Sequence, residues 1–242
     1  MKPALGVIPV RFKAQRFPGK PLAPILGKPM VQWVYESALQ AKRLAKLVVA
    51  TDDERILEAA GGFGAEAFLT SPEHGSGTER TAEAASRYDL PIVINIQGDV
   101  PLLRGDAIDL LVEALQDETV PMATLAHPNP DLSRIADPNV VKLVMDSERY
   151  ALYFSRSPLP HQASDFFWEH IGIYGFQKDF LLRFGSLPKS RLEITERLEQ
   201  LRALEHGFRI KVLETRYSTL SVDTPEDIIK VESRLKERIH DN

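Results

Sequence analysis

Residues 4–22 read ALGVIPVRFKAQRFPGKPL, and the junction inside this stretch sets the reading of the fold. The first seven residues are apolar without alternation, the pattern of a strand covered on both faces. From Arg11 onward, four cations (Arg11, Lys13, Arg16 and Lys20) fall among one glycine and two prolines. A stretch broken in this way does not continue as a helix. A buried strand running into a cationic loop suits an open α/β sheet, in which ligands bind beyond the carboxyl ends of the strands.

Working outward, LVVAT (47–51), PIVINIQGD (91–99), PMATLAH (121–127) and VVKLVMD (140–146) repeat the short apolar pattern. Helical text lies between them, at 30–42, at 53–60, and where Ile108, Leu111, Val112 and Leu115 recur at i, i+3, i+4 and i+7. Strand alternating with helix predicts an open, mostly parallel sheet flanked by helices. After about residue 127 the pattern changes. YALYFSR (150–156) and HIGIYGF (170–176) read as strands separated by a proline-rich connection. A helix is expected over 191–207, stopped by Gly207, then a strand over 209–215. A last helix over 225–238 carries Ile228, Val231 and Leu235 on one face. The expectation is one domain over 1–242, with an inserted segment at about 128–205.

The 242 residues are 43% hydrophobic and 26% charged, enough for a substantial core, and the net charge is −4. That balance argues against coating nucleic acid and requires any countercharge for an anionic ligand to be local. With no cysteine, disulfides, thiolate chemistry and cysteine-type zinc sites are excluded. The first apolar run is too short for a signal-peptide core, and no run reaches the roughly 18 residues of a membrane span. A cytoplasmic location is expected.

Four stretches carry chemistry. In the opening loop, Arg11, Lys13, Arg16 and Lys20 could gather phosphate oxygens, with Pro18 and Gly19 allowing close backbone approach. A solvated basic loop is the bland alternative. It is not a Walker A loop, because Gly27-Lys28 is followed by Pro29. In IVINIQGD, Asp99 stands at the end of a buried strand, where a carboxylate is costly unless hydrated or paired. It could bind a hard cation such as Mg²⁺ or simply begin a turn before Val100-Pro101. In LSVDTPEDI, Thr224, Pro225 and Asp227 have the form of a helix start, which leaves Asp223 just outside and able to face a ligand. In HGSGTERTAEA (74–84), Thr78 is a plausible cap, and Ser76, Thr78 and Arg80 could hold a base or a phosphate. His170, beside Tyr174 in HIGIYGF, is the notable histidine, and a structural role is the simpler account of it alone.

In order along the chain, VIPVRFKAQRFPGKPL, GKPM, VATDDERI, SGTER, NIQGDVP, MATLA, PNVVKLV, ALYFSRSPLP, HIGIYGF, LEQLRAL and VDTPED resemble the 3-deoxy-manno-octulosonate (Kdo) cytidylyltransferase family. The likeness runs nearly end to end. CMP-sialic acid synthetases share mainly the basic loop. The resemblance implies a nucleotide-diphospho-sugar-transferase-like α/β fold and a homodimer. It implies transfer of CMP from CTP to Kdo, with Mg²⁺ and release of pyrophosphate, for lipopolysaccharide synthesis. By similarity Arg11, Arg16 and Lys20 hold the CTP phosphates, Arg80 and Gln97 place the nucleotide, and Asp99 and Asp223 ligate Mg²⁺. Lys20, Asp99 and Asp223 form the catalytic set. Lys142, Arg156, His170, Tyr174, Glu196 and Gln200 form the sugar-pocket set, with Arg156 or its neighbours meeting the Kdo carboxylate. The chain departs from the family pattern at Val100, where glutamate is common, at Gln15, where a small hydroxyl residue is common, and at Leu220-Ser221, where glycine is frequent. A cytidylyltransferase for a related acidic sugar such as amino-Kdo, or a non-catalytic nucleotide sensor, are the rival readings. A dinucleotide oxidoreductase lacks its glycine fingerprint.

Overall fold

The structure is a computed structural model, and it describes residues 1–13, 17–217 and 220–240. Arg16 and Gln15 lie outside the described residues. The chain forms two compact units. One joins residues 2–109 to 219–242, and the other comprises 110–218 with Met1. The expected insert at 128–205 falls within the second.

The first unit begins with β1 (Ala4–Val10), buried along its whole length. A two-stranded ribbon, β2 (Pro24–Ile25) and β3 (Lys28–Pro29), leads into α1 (Met30–Ala38). Next come β4 (Leu44–Thr51), α2 (Glu54–Gly62), β5 (Ala67–Leu69), α3 (Gly77–Ser86) and β6 (Ile92–Asn95). α4 (Gly105–Ala114) crosses the sequence boundary into the second unit. β6, β1, β4 and β5 are neighbours in that order, and every pair is parallel. This is the parallel sheet that the continuous apolar runs predict, since helices cover both faces of such strands.

Where boundaries differ from expectation, side chains redirect the backbone. α1 stops four residues early, at Ala38, because Asp109 accepts from the backbone N–H groups of Lys42 and Arg43 at 3.1 and 2.8 Å, drawing the chain out toward β4. α3 is capped by Ser76 rather than Thr78. The Ser76 hydroxyl accepts from Glu79 N, and the Glu79 carboxylate accepts from Gly75 N at 2.7 Å.

In the second unit, β7 (Met122–Asn129), β8 (Lys142–Met145), β9 (Ala151–Ser155) and β10 (Phe167–Gln177) precede α5 (Lys178–Phe184). α6 (Arg191–Glu196), α7 (Leu201–Glu205) and β11 (Ile210–Glu214) follow. β7 pairs parallel with β11 and antiparallel with β10, while β8 pairs antiparallel with both β10 and β9. The helix expected over 191–207 is therefore two short ones. They part where Arg197 takes a left-handed backbone (φ 55°, ψ 47°), and the pieces are clamped by the buried Arg202–Glu193 ion pair, with Nε to Oε2 at 2.8 Å. Helix periodicity runs through such a break without marking it.

The chain returns to the first unit with α8 (Pro225–His240). Its Val231 and Leu235 are buried with Val222 against Ile25, Met30 and Leu102, and Ile228 packs beside them. This is the apolar face expected from sequence. Burying three such side chains contributes several kcal/mol and fixes the segment leading into the helix.

One glycine matters for the site. A Cβ at Gly98 would stand 2.2 Å from Val10 Cγ1 and 3.3 Å from the Pro9 carbonyl, so residues 97–99 lie directly on the end of β1. Gly98→Ala is expected to destabilise the fold by about 1–3 kcal/mol through overpacking. Gly61→Ala, in α2 with open space around its Cβ, is expected to be neutral or stabilising by up to ~1 kcal/mol. Urea unfolding midpoints of the two variants check the contrast.

Candidate active site

The described ends of the cationic loop are held to each other and to α2. Gly19 adopts φ 75° and donates its N–H to the Phe12 carbonyl at 2.9 Å, which closes the loop before a short 3₁₀ turn over Lys20–Leu22. Gly19 thus serves the turn, a left-handed position that favours glycine. The Arg55 guanidinium lies 3.4 Å over the Phe12 ring, and its Nε and Nη2 donate to Asp53 at 2.8 and 2.7 Å. A cation over an aromatic face and a bidentate ion pair together pin the loop to the start of α2. Arg11 and Lys13 are exposed.

Lys20 points the other way from solvent. Its Nζ donates to Asp99 Oδ2 at 2.7 Å and to the Val222 carbonyl at 2.8 Å, and stands 3.9 Å from Asp223 Oδ1. Two residues far apart in sequence thus place carboxylates around one cation. The backbone explains how: Val222 N donates to the Asp99 carbonyl at 2.9 Å, joining the loop after β6 to the approach to α8. Asp227 then holds that approach, its Oδ2 accepting from Asp223 N and Thr224 N at 3.1 and 3.0 Å. Thr224, Pro225 and Asp227 form the helix start that the sequence predicts.

Two carboxylates and a carbonyl converging on one positive charge make an all-oxygen donor set suited to Mg²⁺, which commonly takes one or two carboxylates and completes its shell with phosphate and water. Among the described residues no group of three or more His, Cys, Asp or Glu side chains could hold a metal, so a metal here would depend on such added oxygens.

Arg80 is almost wholly buried on α3. Its Nη2 donates to Asp52 Oδ2 at 3.0 Å, and its Nη1 to Thr70 Oγ1 and the Ser71 carbonyl. Burial lowers its pKa and Asp52 opposes the shift. Arg11 is near enough to act on it electrostatically. Gln97 Nε2 donates to Asn95 Oδ1, and Asn95 Nδ2 to Thr78 Oγ1, both at 3.3 Å. Asp52 was not among the sequence candidates, although it directly follows β4 in the position where ligand-facing residues are sought. Its Oδ1 is buried with no hydrogen-bond partner among the described residues.

The second unit holds the other candidates. Lys142 is fully buried, and its Nζ donates to the carbonyls of Asp137, Val140 and Arg156, the first two at 3.0 and 2.8 Å. Its three protons are thereby used by backbone, and burial lowers its pKa. Glu196 ends α6 and accepts from Tyr153 Oη, Ser155 Oγ and Arg156 N at 3.2, 2.9 and 2.9 Å. Arg156 Nε in turn donates to the Glu196 carbonyl at 2.9 Å and Nη1 to the Pro138 carbonyl at 2.8 Å. Lys142, Arg156 and Glu196 are therefore one network that sets the backbone at the end of β9.

His170 and Tyr174 owe their meeting to a bulge. Four residues of regular strand span about 13 Å, yet their ring centroids are 5.5 Å apart. The β7–β10 register skips between Ile171 and Tyr174, and Thr124 Oγ1 donates to the Ile173 carbonyl at 2.9 Å. Because that hydroxyl proton is committed to a carbonyl, the contact with His170 Nε2 at 3.0 Å has the imidazole donating. When the ring is neutral this leaves Nδ1 as the acceptor. Burial pushes its pKa down to about 3 and pushes the Tyr174 hydroxyl up, with Glu199 adding to the latter. Gln200 is buried, and its Nε2 has no hydrogen-bond partner among the described residues. Thr124 and Glu199 were missed from sequence. The first is an unremarkable strand threonine, and the second is the immediate neighbour of a candidate.

An α/β sheet with a cationic loop after its first strand, and a carboxylate beyond β6 paired with one at the approach to α8, defines a nucleotidyltransferase class of site. A family described as Cytidylyltransferase matches residues 5–212. The 3-deoxy-manno-octulosonate cytidylyltransferase of Syntrophotalea carbinolica is 48% identical, over 96% of this chain and 98% of its own. That of Syntrophobacter fumaroxidans is 52% identical, over 93% of each. A solved structure of CMP:2-keto-3-deoxy-manno-octonic acid synthetase complexed with CTP superposes with a TM-score of 0.93, at 40% identity over 98% of this chain and 99% of that one. A 4-diphosphocytidyl-2C-methyl-D-erythritol synthase structure from Anaerococcus prevotii, 14% identical with a TM-score of 0.66 over 97% and 96%, shares the fold. The chain belongs to the 3-deoxy-manno-octulosonate cytidylyltransferase family. Among the described residues no helix is long and apolar enough to cross a membrane.

The desolvated imidazole has a measurable consequence. His170 in the fold binds its proton only near pH 3, whereas in the unfolded chain it does so near 6.5. As pH falls below 6.5 the unfolded chain takes up a proton that the native state refuses, so stability present above 6.5 is lost progressively toward 3. Between pH 7.5 and 5.5 this amounts to about 1 kcal/mol. His170→Gln is expected to remove that part of the pH slope in urea unfolding. An unchanged slope would mean that the imidazole charges freely in the fold.

Proposed function

We propose that the chain transfers CMP from CTP to the anomeric hydroxyl of Kdo, releasing pyrophosphate, as a cytoplasmic, homodimeric enzyme supplying CMP-Kdo for lipopolysaccharide synthesis. The observation that carries this reading is the convergence of Lys20, Asp99 and Asp223 in a chain about half identical to enzymes of that name. The chemistry is a displacement at the α-phosphorus. The anomeric oxygen forms the new P–O bond, the bond to the β-phosphate oxygen breaks, and the hydroxyl proton leaves to solvent. The barrier is one of position and charge.

Asp99 and Asp223 hold Mg²⁺ in this reading. The ion, when bound, polarises the α-phosphate and lowers the pKa of the attacking hydroxyl. Arg11, Arg16 and Lys20 take the triphosphate oxygens and stabilise the departing pyrophosphate. Arg80, held by Asp52, and Gln97 orient the nucleotide. In the sugar set His170 Nδ1 accepts from a sugar hydroxyl, and Gln200 Nε2 donates to an oxygen. Lys142 and Glu196 act one step back, setting the Arg156 backbone through the Arg156 carbonyl and N–H, so that the Arg156 guanidinium is placed for a carboxylate.

The test is pyrophosphate release from CTP, with and without Mg²⁺, against Kdo, amino-Kdo and sialic acid. Mg²⁺-dependent release with Kdo is expected. Release only with sialic acid, or release independent of any sugar, would sink the assignment. Asp99→Asn is expected to lower kcat by about a hundredfold or more with a native far-UV spectrum, and wild-type turnover in that variant would remove Asp99 from the metal.

A further inference from the structure

The Lys20 ammonium stands where a metal shared by the two aspartates would stand. It is 2.7 Å from Asp99 Oδ2, 2.8 Å from the Val222 carbonyl and 3.9 Å from Asp223 Oδ1. The backbone that carries the two carboxylates is tied in place, which limits how far they can spread to admit both cations. Asp99 and Val222 are joined through the backbone, Asp223 N is held by Asp227, and Val222 is buried in the core beneath α8. A Mg²⁺ ion bonding both aspartates would lie about 2.0–2.1 Å from each oxygen. An ammonium that donates to Asp99 and Val222 and stands 3.9 Å from Asp223 would then sit against the ion's own shell, and like charges at such range repel strongly in a partly buried place.

We propose that Lys20 is the exchangeable counter-cation of the Asp99–Asp223 pair: its ammonium and Mg²⁺ compete for the same oxygens, and a nucleoside triphosphate decides the competition by drawing Lys20 onto its phosphates. This rests on the reading above that Asp99 and Asp223 take Mg²⁺. The side-chain chemistry suits the task. A lysine carries a compact charge on a flexible four-carbon stem and can exchange one anionic partner for another by rotation alone, whereas arginine is a planar fork. The pair therefore keeps a counter-charge at all times, and metal is admitted with the triphosphate rather than ahead of it. By linkage, the factor by which triphosphate tightens Mg²⁺ binding is also the factor by which Mg²⁺ tightens triphosphate binding.

The experiment titrates Mg²⁺ alone into the nucleotide-free protein by calorimetry and by the shift in Tm, then repeats the titration with CTP and no sugar. Wild type, Lys20→Met, Lys20→Arg and Asp99→Asn are compared, with Lys20→Gln as a second neutral variant should methionine perturb folding. Without nucleotide, Lys20→Met or Lys20→Gln is expected to bind Mg²⁺ at least tenfold more tightly than wild type, and to gain more in Tm from it. CTP is expected to tighten Mg²⁺ binding in wild type and to do so far less in the neutral variants. Lys20→Arg, which keeps the charge, is expected to bind Mg²⁺ as weakly as wild type. A neutral variant that binds Mg²⁺ no more tightly than wild type, while Asp99→Asn loses binding, overturns the exchange and leaves the metal site standing. Mg²⁺ binding unaffected by Asp99→Asn, with or without CTP, overturns the metal site and the exchange together.

Discussion

The hydrogen bond from Val222 N to the Asp99 carbonyl, 2.9 Å long, is the tie on which the site depends. Asp99 is delivered by β6 and the glycine that lets its loop lie on Val10, and Asp223 by the approach to α8. Neither delivery alone keeps the acids paired, since two carboxylates left to themselves repel and separate. The backbone bond joins the segments without using either side chain, and apolar burial of Val222, Val231 and Leu235 holds the second segment in place. Lys20 then supplies the charge that lets the two acids stay close.

The second unit solves a related problem by burial instead of counter-charge. Its candidate residues are held by hydrogen bonds to backbone: Lys142 to three carbonyls, Glu196 to the Arg156 N–H, and Thr124 to the bulged carbonyls beside His170. Anchoring of this kind costs rotamer freedom during folding instead of during binding. Desolvation keeps His170 neutral, so its ring nitrogens have settled donor and acceptor roles across the range in which free histidine would change charge.

Much of this was legible in the sequence because it rests on short-range pattern. The uninterrupted apolar runs marked β1, β4 and β6, and Thr224-Pro225 with Asp227 marked the start of α8. The rule about strand ends pointed to Lys20 and Asp99. What was not legible depends on pairing across the chain. Nothing local to Asp99 says that Val222 N will reach its carbonyl. The periodicity of 191–207 runs unbroken through Arg197, where the helix stops because Glu196 is engaged by β9 and Glu193 by Arg202. The bulge at Gly172-Ile173 is likewise set by Thr124 from a neighbouring strand. Asp52 escaped notice because its role is to hold Arg80, a partner on a different element.

The seat formed by residues 20, 99 and 223 also orders events in time. Its contacts are among the most non-local in the first unit, and contacts of that kind form late because loop closure precedes any gain from them. During synthesis β1, β4, β5 and β6 are all available long before residue 223, but the carboxylate pair is not complete until α8 emerges and settles on Ile25 and Met30. A growing chain therefore passes most of its synthesis with β1, β4, β5 and β6 available and the paired acids unmade, so the seat around Lys20 is completed among the last steps of folding.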